Sequence, residues 1–331
     1  MKKLIFSILL LASTLLQASD IYVKPGESIA DAIRQARELR RLNDPSIEGG
    51  ITIHVAAGNY RIYEPLFLRP EDSGTPSSPT IIKGEGEVIV SGGVTVTGWK
   101  RQGKLMVADV PDFCGRPLDF RQFYVNGKKA VRARDVADFE DMYRIIRVDK
   151  QKRVLWVPAA AVRKIQKAPY AEMVLHEMWC VANLRIKDIM FAGDSAAVSF
   201  HDPESRIQFE HPWPCPMVTT DGHNSAFYLT NARELLDVPG EWYHDIRAGK
   251  LYYYPRQGEL IEEAVVPAVE TLLRVEGTLD RPVRNIRIEG LTFSYSTWMR
   301  PSLKGHVPLQ AGMYLTDAYK LRPQIVRSKN H

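Results

Sequence analysis

Cysteine is scarce in this 331-residue chain, which has only Cys114, Cys180 and Cys215. An odd number leaves at least one thiol outside any intrachain bridge, so a disulfide framework does not organise the fold. One bridge remains possible, and spacing does not choose it. Charge of one sign is never concentrated: 44 Lys and Arg are interspersed with 39 Asp and Glu, for a formal net charge of +5. A nucleic-acid groove would need a denser basic patch, so no nucleic-acid partner is expected. There is no apolar run of the roughly 20 residues a membrane-spanning helix needs. No Gly-x-Ser-x-Gly, P-loop or strand-linked Gly-x-Gly-x-x-Gly occurs, and "GEGEVIVSGG" runs into strand-like sequence instead of opening a helix. Paired metal-ligand spacings are missing as well. His211, Cys215, Cys180 and His223 form no C-x-x-C or H-x-x-x-H pattern, which argues against zinc. "RPEDSG" offers only Glu71 and Asp72 toward the about six to eight oxygens of a calcium site. No metal and no other cofactor is expected.

What the chain does have begins with Lys2 and Lys3, then the apolar "LIFSILLLASTLL" and small residues at Ala18 and Ser19. That order predicts a secretory signal peptide over residues 1–19 and an exported protein, periplasmic or extracellular. "ESIADAIRQARELRRL" (27–42) follows Ser28 as a capping residue and carries an apolar stripe at helical spacing, predicting one amphipathic helix. After it come short β-branched runs, "ITIHVAAGNY", "PLFLRP", "PTIIKGEG", "EVIVSGG" and "VTVTGW", separated by Gly, Pro and Ser. Their connections do not resemble two-residue hairpins. Strands returning once per coil would stack in parallel, and the helix would cover the first coil and block edge pairing. The pattern returns at 270–296, where "LRVEG" and "IRIEG" echo each other.

Residues from about 99 to 265 differ. "FRQFYVNGKKAVRARD" holds Asn126-Gly127, a strong hairpin signal, between alternating segments. "KQKRVLWVPAAAV" and "SRIQFEHP" also suggest antiparallel β-structure. In "GEWYHDIRAGKLYYYP" (240–255) six aromatic rings flank one turn. Period two sends Trp242 and His244 to one face and Tyr243 to the other. Such rings can brace a hairpin through cross-strand pairs, or Trp242 can offer a stacking surface to a sugar. The expected organisation is a leader (1–19), an N-terminal cap and first coils (20–98), an inserted β-domain (99–265) and resumed coils (266–331).

The phrases "GNYRIYEPLFLRPEDSGTPSSPTIIKGEGEVIVSGG", "PGEWYHDIRAGKLYYYPRQGE" and "VRNIRIEGLTFSYSTW" resemble the N-terminal half of secreted bacterial right-handed parallel β-helix proteins. Among these the chain is most similar to glycoside hydrolase family 141, which includes α-L-fucosidase and xylanase activities on plant cell-wall polysaccharides. The resemblance implies an all-β fold: a right-handed parallel β-helix with an N-terminal capping helix and an inserted antiparallel β-domain. It also implies an oligo- or polysaccharide partner. In that family the coils continue beyond the point matching "GHVPLQAGMYLTDAYKLRP", and the catalytic carboxylates are expected on those later coils. The C-terminal coils are then missing here, and the chain alone would be inactive.

Glycoside hydrolysis requires two carboxyl groups flanking the scissile bond, about 5–5.5 Å apart for retention or about 6.5–9.5 Å for inversion. Asp317 follows an apolar run in the resumed coil and is the one carboxylate candidate offered, with no partner one coil later. Trp298 and Tyr314 can supply stacking surfaces beside it, and His306 and Gln310 hydrogen bonds to substrate hydroxyls; each also has an ordinary turn or surface reading. Glu241, beside Trp242, is more simply an edge carboxylate. Two other function classes fit the same pattern, a non-catalytic carbohydrate-binding module and a polysaccharide lyase.

Overall fold

A computed structural model describes residues 18–178, 180–210 and 215–299. The described protein is mostly β and divides into two units, one formed by residues 18–93 together with Val269–Ser296, the other by Val94–Ala268 with residues 297–299.

The first unit is built on parallel pairing. Strands β1 (Ser19–Val23), β2 (Ile51–Arg61) and β4 (Thr80–Ser91) lie side by side with Ile286–Ser294, and every pairing among them is parallel. The register aligns Ile21, Ile53, Ile82 and Ile288 across the four strands. β3 (Leu66–Leu68) pairs in parallel with Leu273–Val275 in a separate two-stranded sheet. The "LRVEG" and "IRIEG" echoes are therefore successive strands of two different sheets. Gly84 and Gly290 mark where the backbones of adjacent strands come closest: a Cβ on Gly84 would lie 2.1 Å from the Gly290 carbonyl oxygen.

The expected helix is present as α1 (Ile29–Arg41), with the Ser28 hydroxyl accepting from the Asp31 N–H at 3.2 Å. Ile29, Ala32, Ile33 and Ala36 are buried in the core formed with β1–β4. Its polar side is fixed too. Arg37 makes two 2.9 Å bonds to Asp72, and Arg40 donates to Thr80 Oγ1 (2.8 Å) and the Ser78 carbonyl (2.9 Å). Asp72 is thus paired with Arg37 in the interior, and Glu71 with Arg281 at the surface.

The second unit is almost wholly antiparallel. Its largest sheet runs Tyr143–Arg144, Ala226–Thr230, Glu172–Glu177, Cys180–Ala192, Ser195–Phe200, Val154–Pro158 and Arg147–Asp149. A five-stranded sheet contains Glu241–Asp245 and Lys250–Tyr253, and includes one parallel pair, Val131–Arg132 with Glu241–Trp242. At Asn126-Gly127 the chain turns with φ +50° and +71° between Tyr124–Val125 and Lys128–Lys129, as the dipeptide requires. The Asn126 amide also ties this turn to the backbone of Leu260, Glu262 and Glu263.

Two expectations for this region are corrected. "SRIQFE" is not a strand: Glu204–Glu210 is a helix, with Asp202 accepting from the Arg206 N–H at 3.1 Å and Ile207 and Phe209 buried. Over so few residues the alternation Arg-Ile-Gln-Phe does not separate the two periods. The "PAAAV" end of the other segment is likewise a short helix, Ala159–Val162, after a strand Val154–Pro158.

Candidate functional site

The site grows from one carboxylate in an apolar strand. Glu172 opens Glu172–Glu177, opposite Arg185 on one neighbouring strand and Thr230 on the other, and is buried. A carboxylate there must be paired. Arg121 binds it through both ends of its guanidinium, Nη1 to Oε1 at 2.9 Å and Nη2 to Oε2 at 2.7 Å, and Arg132 Nη1 donates to Oε2 at 3.1 Å. Burial pushes the Glu172 carboxyl up, but Arg132 and Arg121 outweigh it and hold its pKa below the usual value. Burial likewise lowers Arg132 to about 10, so it stays charged at neutral pH. The Arg132 guanidinium lies 5.9 Å from the Trp242 ring, and its Nε is buried with no partner among the described residues.

Arg121 and Arg132 line two cavities. The first, about 380 Å³, is walled by Asp119, Tyr170, Arg185, His201, Asn231 and Arg247 in addition to Glu172. Arg185 is anchored by the fully buried Glu204, with Nε to Oε1 at 2.5 Å and Nη2 to Oε2 at 2.8 Å, and donates to the Asp202 carbonyl. Asn231 sits at φ +60°, donates to the Tyr170 carbonyl at 2.8 Å and leaves its own Oδ1 buried without a partner. Arg247 lies over the Tyr170 ring at 5.5 Å. Burial raises the Asp119 carboxyl, against the pull of Arg132 and Arg121. The second cavity, about 340 Å³, is bounded by Arg121, Lys129, Arg132, Arg134, Asn183 and Tyr228. Both volumes are of the size of small-ligand sites, about 300–1,000 Å³.

The residues expected from sequence to touch substrate are not gathered here. Trp242 does not present a sugar platform: it is 0% exposed, stacks on Phe120 at 5.4 Å and meets Phe123 edge-on at 6.1 Å. The reason is that its hairpin is covered on both faces. Trp242, Leu251 and Tyr253 belong to one core of the unit, while Tyr243 and Tyr252 belong to another. Glu241 is a brace, accepting from the backbone N–H of Val238, Asp237 and Arg134. Trp298 is 45% exposed, and its N–H meets Gln122 Oε1 at 3.3 Å. His306, Gln310, Tyr314 and Asp317 lie outside the described residues. Among the described residues no cluster of three His, Cys, Asp or Glu side chains is arranged to hold a metal ion, and no helix is long and apolar enough to cross a membrane.

The residues of this candidate site that sequence reasoning missed include Arg121, Arg132 and Glu172. Their signal was a charge set among apolar residues: Arg132 in "AVRA" and Glu172 in "AEMVL" each stand alone, while Arg121 lies between Phe120 and Phe123 in "DFRQFYV".

Residues 103–256, which contain both cavities, match a family model described as the GH141 insertion domain. A solved structure described as a glycoside hydrolase is 60% identical with a TM-score of 0.90, over 94% of this chain and 56% of that one. The chain thus spans little more than half the length of that relative. Comparison with curated proteins gives no match. By these likenesses the chain is GH141-like: it is similar to a structure described as a glycoside hydrolase, and residues 103–256 are similar to the GH141 insertion domain.

Proposed function

We propose that this chain is the N-terminal portion of an exported glycoside hydrolase acting on plant cell-wall type polysaccharide. Its insertion domain holds the glycan, and the catalytic carboxylates are supplied by sequence beyond this chain. The observation that carries the reading is the 60% identity over 94% of the chain to a structure described as a glycoside hydrolase. The parallel strands of the first unit support a further element of it, the opening coils of a right-handed parallel β-helix capped by α1. The charged start of the chain and its apolar run support export.

Chemistry at the described site points the same way. Hydrolysis needs one carboxyl to give a proton and another to act as nucleophile or base. Glu172 accepts three bonds from two guanidiniums, so it is held ionised and its oxygens are occupied. Among the described residues Asp119 is then the one remaining carboxylate of the first cavity, and a single acid does not complete the reaction. Arginines, an amide and a tyrosine around a cavity are suited to gripping hydroxyl-rich rings.

The test compares this 331-residue chain with a longer polypeptide that continues into the region matched by the rest of the relative. Each is assayed on fucosylated and xylan oligosaccharides. Turnover is expected from the longer polypeptide alone. Turnover by the shorter chain that disappears in Asp119→Asn or Asp317→Asn would overturn the assignment.

A further inference from the structure

The second cavity has a charge imbalance that neutral sugars do not use. Arg121, Lys129, Arg132 and Arg134 border it, and none of the described residues lining it is a carboxylate. Arg121 and Arg132 share the charge of Glu172 behind them, with Asp119 as their other acidic neighbour on the side of the first cavity. Among the described residues neither Lys129 nor Arg134 is in an ion pair. Arg132, which lines both cavities, also has its Nε buried without a partner among the described residues.

Beside the cations, with Arg134 bridged to Thr230, the sheet supplies a different surface. Tyr228, Val174 and Asn183 are cross-strand neighbours on three adjacent strands, and Thr230 pairs with Glu172 in the next row. One apolar side chain thus sits between a phenol and an amide, with a hydroxyl beside them. Flat apolar contact flanked by donors and acceptors suits a pyranose ring, and guanidiniums match a carboxylate in two-pronged geometry.

We propose that this cavity is a subsite for an acidic sugar, with the carboxylate of a hexuronosyl residue bound by Arg134 and Lys129 beside Arg132 while its ring lies against the half-buried Tyr228 and Asn183. This rests on the reading of the chain as part of a polysaccharide-active protein, and it narrows the glycan to one that carries uronic acid.

The experiment is calorimetric titration of the 331-residue chain with two probes, trigalacturonate and a glucuronate-bearing xylo-oligosaccharide. Each is paired with its own carboxyl-reduced form, which keeps the ring stereochemistry and removes the charge. At least one acidic probe is expected to bind tenfold or more tightly than its reduced partner, and to weaken as salt is raised. Arg134→Gln and Lys129→Gln should each weaken it severalfold while leaving the thermal unfolding curve unchanged. Neither side chain supports the buried Glu172 pair, so loss of binding in these variants is not loss of fold. Equal affinity for acidic and reduced forms overturns the proposal, as do binding of neither acid, full affinity in both variants, or inorganic phosphate binding as tightly as the sugar acid. The broader reading is judged separately by turnover in the longer polypeptide, so a failure here leaves that result standing.

Discussion

Two buried titratable side chains in the second unit respond to pH in opposite directions. Burial raises the Glu177 carboxyl to about 7, although Cys180 Sγ at 2.9 Å and the Gln208 amide both favour the charge. The Gln208 carbonyl oxygen is itself buried without a partner, so a protonated Glu177 has an acceptor within reach if that amide turns over. His244 is driven the other way, to about 4, by burial and then by the charge of Arg132, in a stack on Phe120 at 4.6 Å. For Glu177 the folded value lies above the unfolded one, so stability is full at acid pH and is lost as pH rises to about 7. For His244 the folded value lies below the unfolded one, so stability is present at neutral pH and is lost as pH falls toward 4. Where the windows overlap the two slopes offset each other. Glu177→Gln is expected to raise the denaturant midpoint at pH 8 relative to pH 5, and His244→Phe to flatten the acid limb. Each effect is worth up to about 3 kcal/mol. Urea titrations across that range check both, and unchanged pH profiles in the variants would refute the assignment. Neither environment was legible in sequence, because Glu177 and His244 are desolvated by residues far away along the chain. Trp242 fails as a platform for the same reason, since period two places its face but not what covers that face.

Elements were readable where one short-range rule dominates. Asn126-Gly127 turns as expected because few other dipeptides accept two positive φ values, and Ser28 starts α1 because its hydroxyl satisfies an otherwise free N–H. "SRIQFE" was misread because the choice between helix and strand there rests on Asp202 capping and on burial of Ile207 and Phe209, which are tertiary facts. The charge trio is the element-scale feature on which the site depends. It joins the strand of Glu172, the Val131–Arg132 strand and the segment carrying Arg121, three pieces that no local pattern connects. Removing the carboxylate would leave two buried guanidiniums facing each other without compensation. Glu172→Gln is therefore expected to lower unfolding free energy by about 3 kcal/mol or more. Replacing Arg134, which bears on the cavity but not on the trio, should change it by less than about 0.5 kcal/mol. Comparable losses in the two variants would mean that the trio is not the brace described here.

At the scale of the whole chain, the second unit has the properties of a body that folds by itself. Its two hydrophobic cores draw all their buried residues from positions 94–266, and every residue lining the two cavities lies between Asp119 and Arg247. Gly92 and Val269, both in the first unit, flank the intervening segment closely: a Cβ on Gly92 would lie 3.1 Å from that of Val269. The chain therefore leaves and rejoins the first unit at nearly the same place, the arrangement under which a segment can be inserted without opening its host. Sequence could mark this change of character, from coil-like runs to hairpin signals. It could not supply the cavities, which need residues 121, 132, 172 and 230 brought together by strand pairing. Residues 94–268 expressed alone are expected to unfold in a single cooperative transition and to bind the acidic oligosaccharide with the affinity of the full chain, since no donor in the proposed subsite comes from outside that range. Circular dichroism melting and the same calorimetric titration measure the two halves of this claim. A fragment that melts without cooperativity would show that these cores depend on the first unit. A cooperative fragment with lost affinity would place part of the subsite outside residues 94–268.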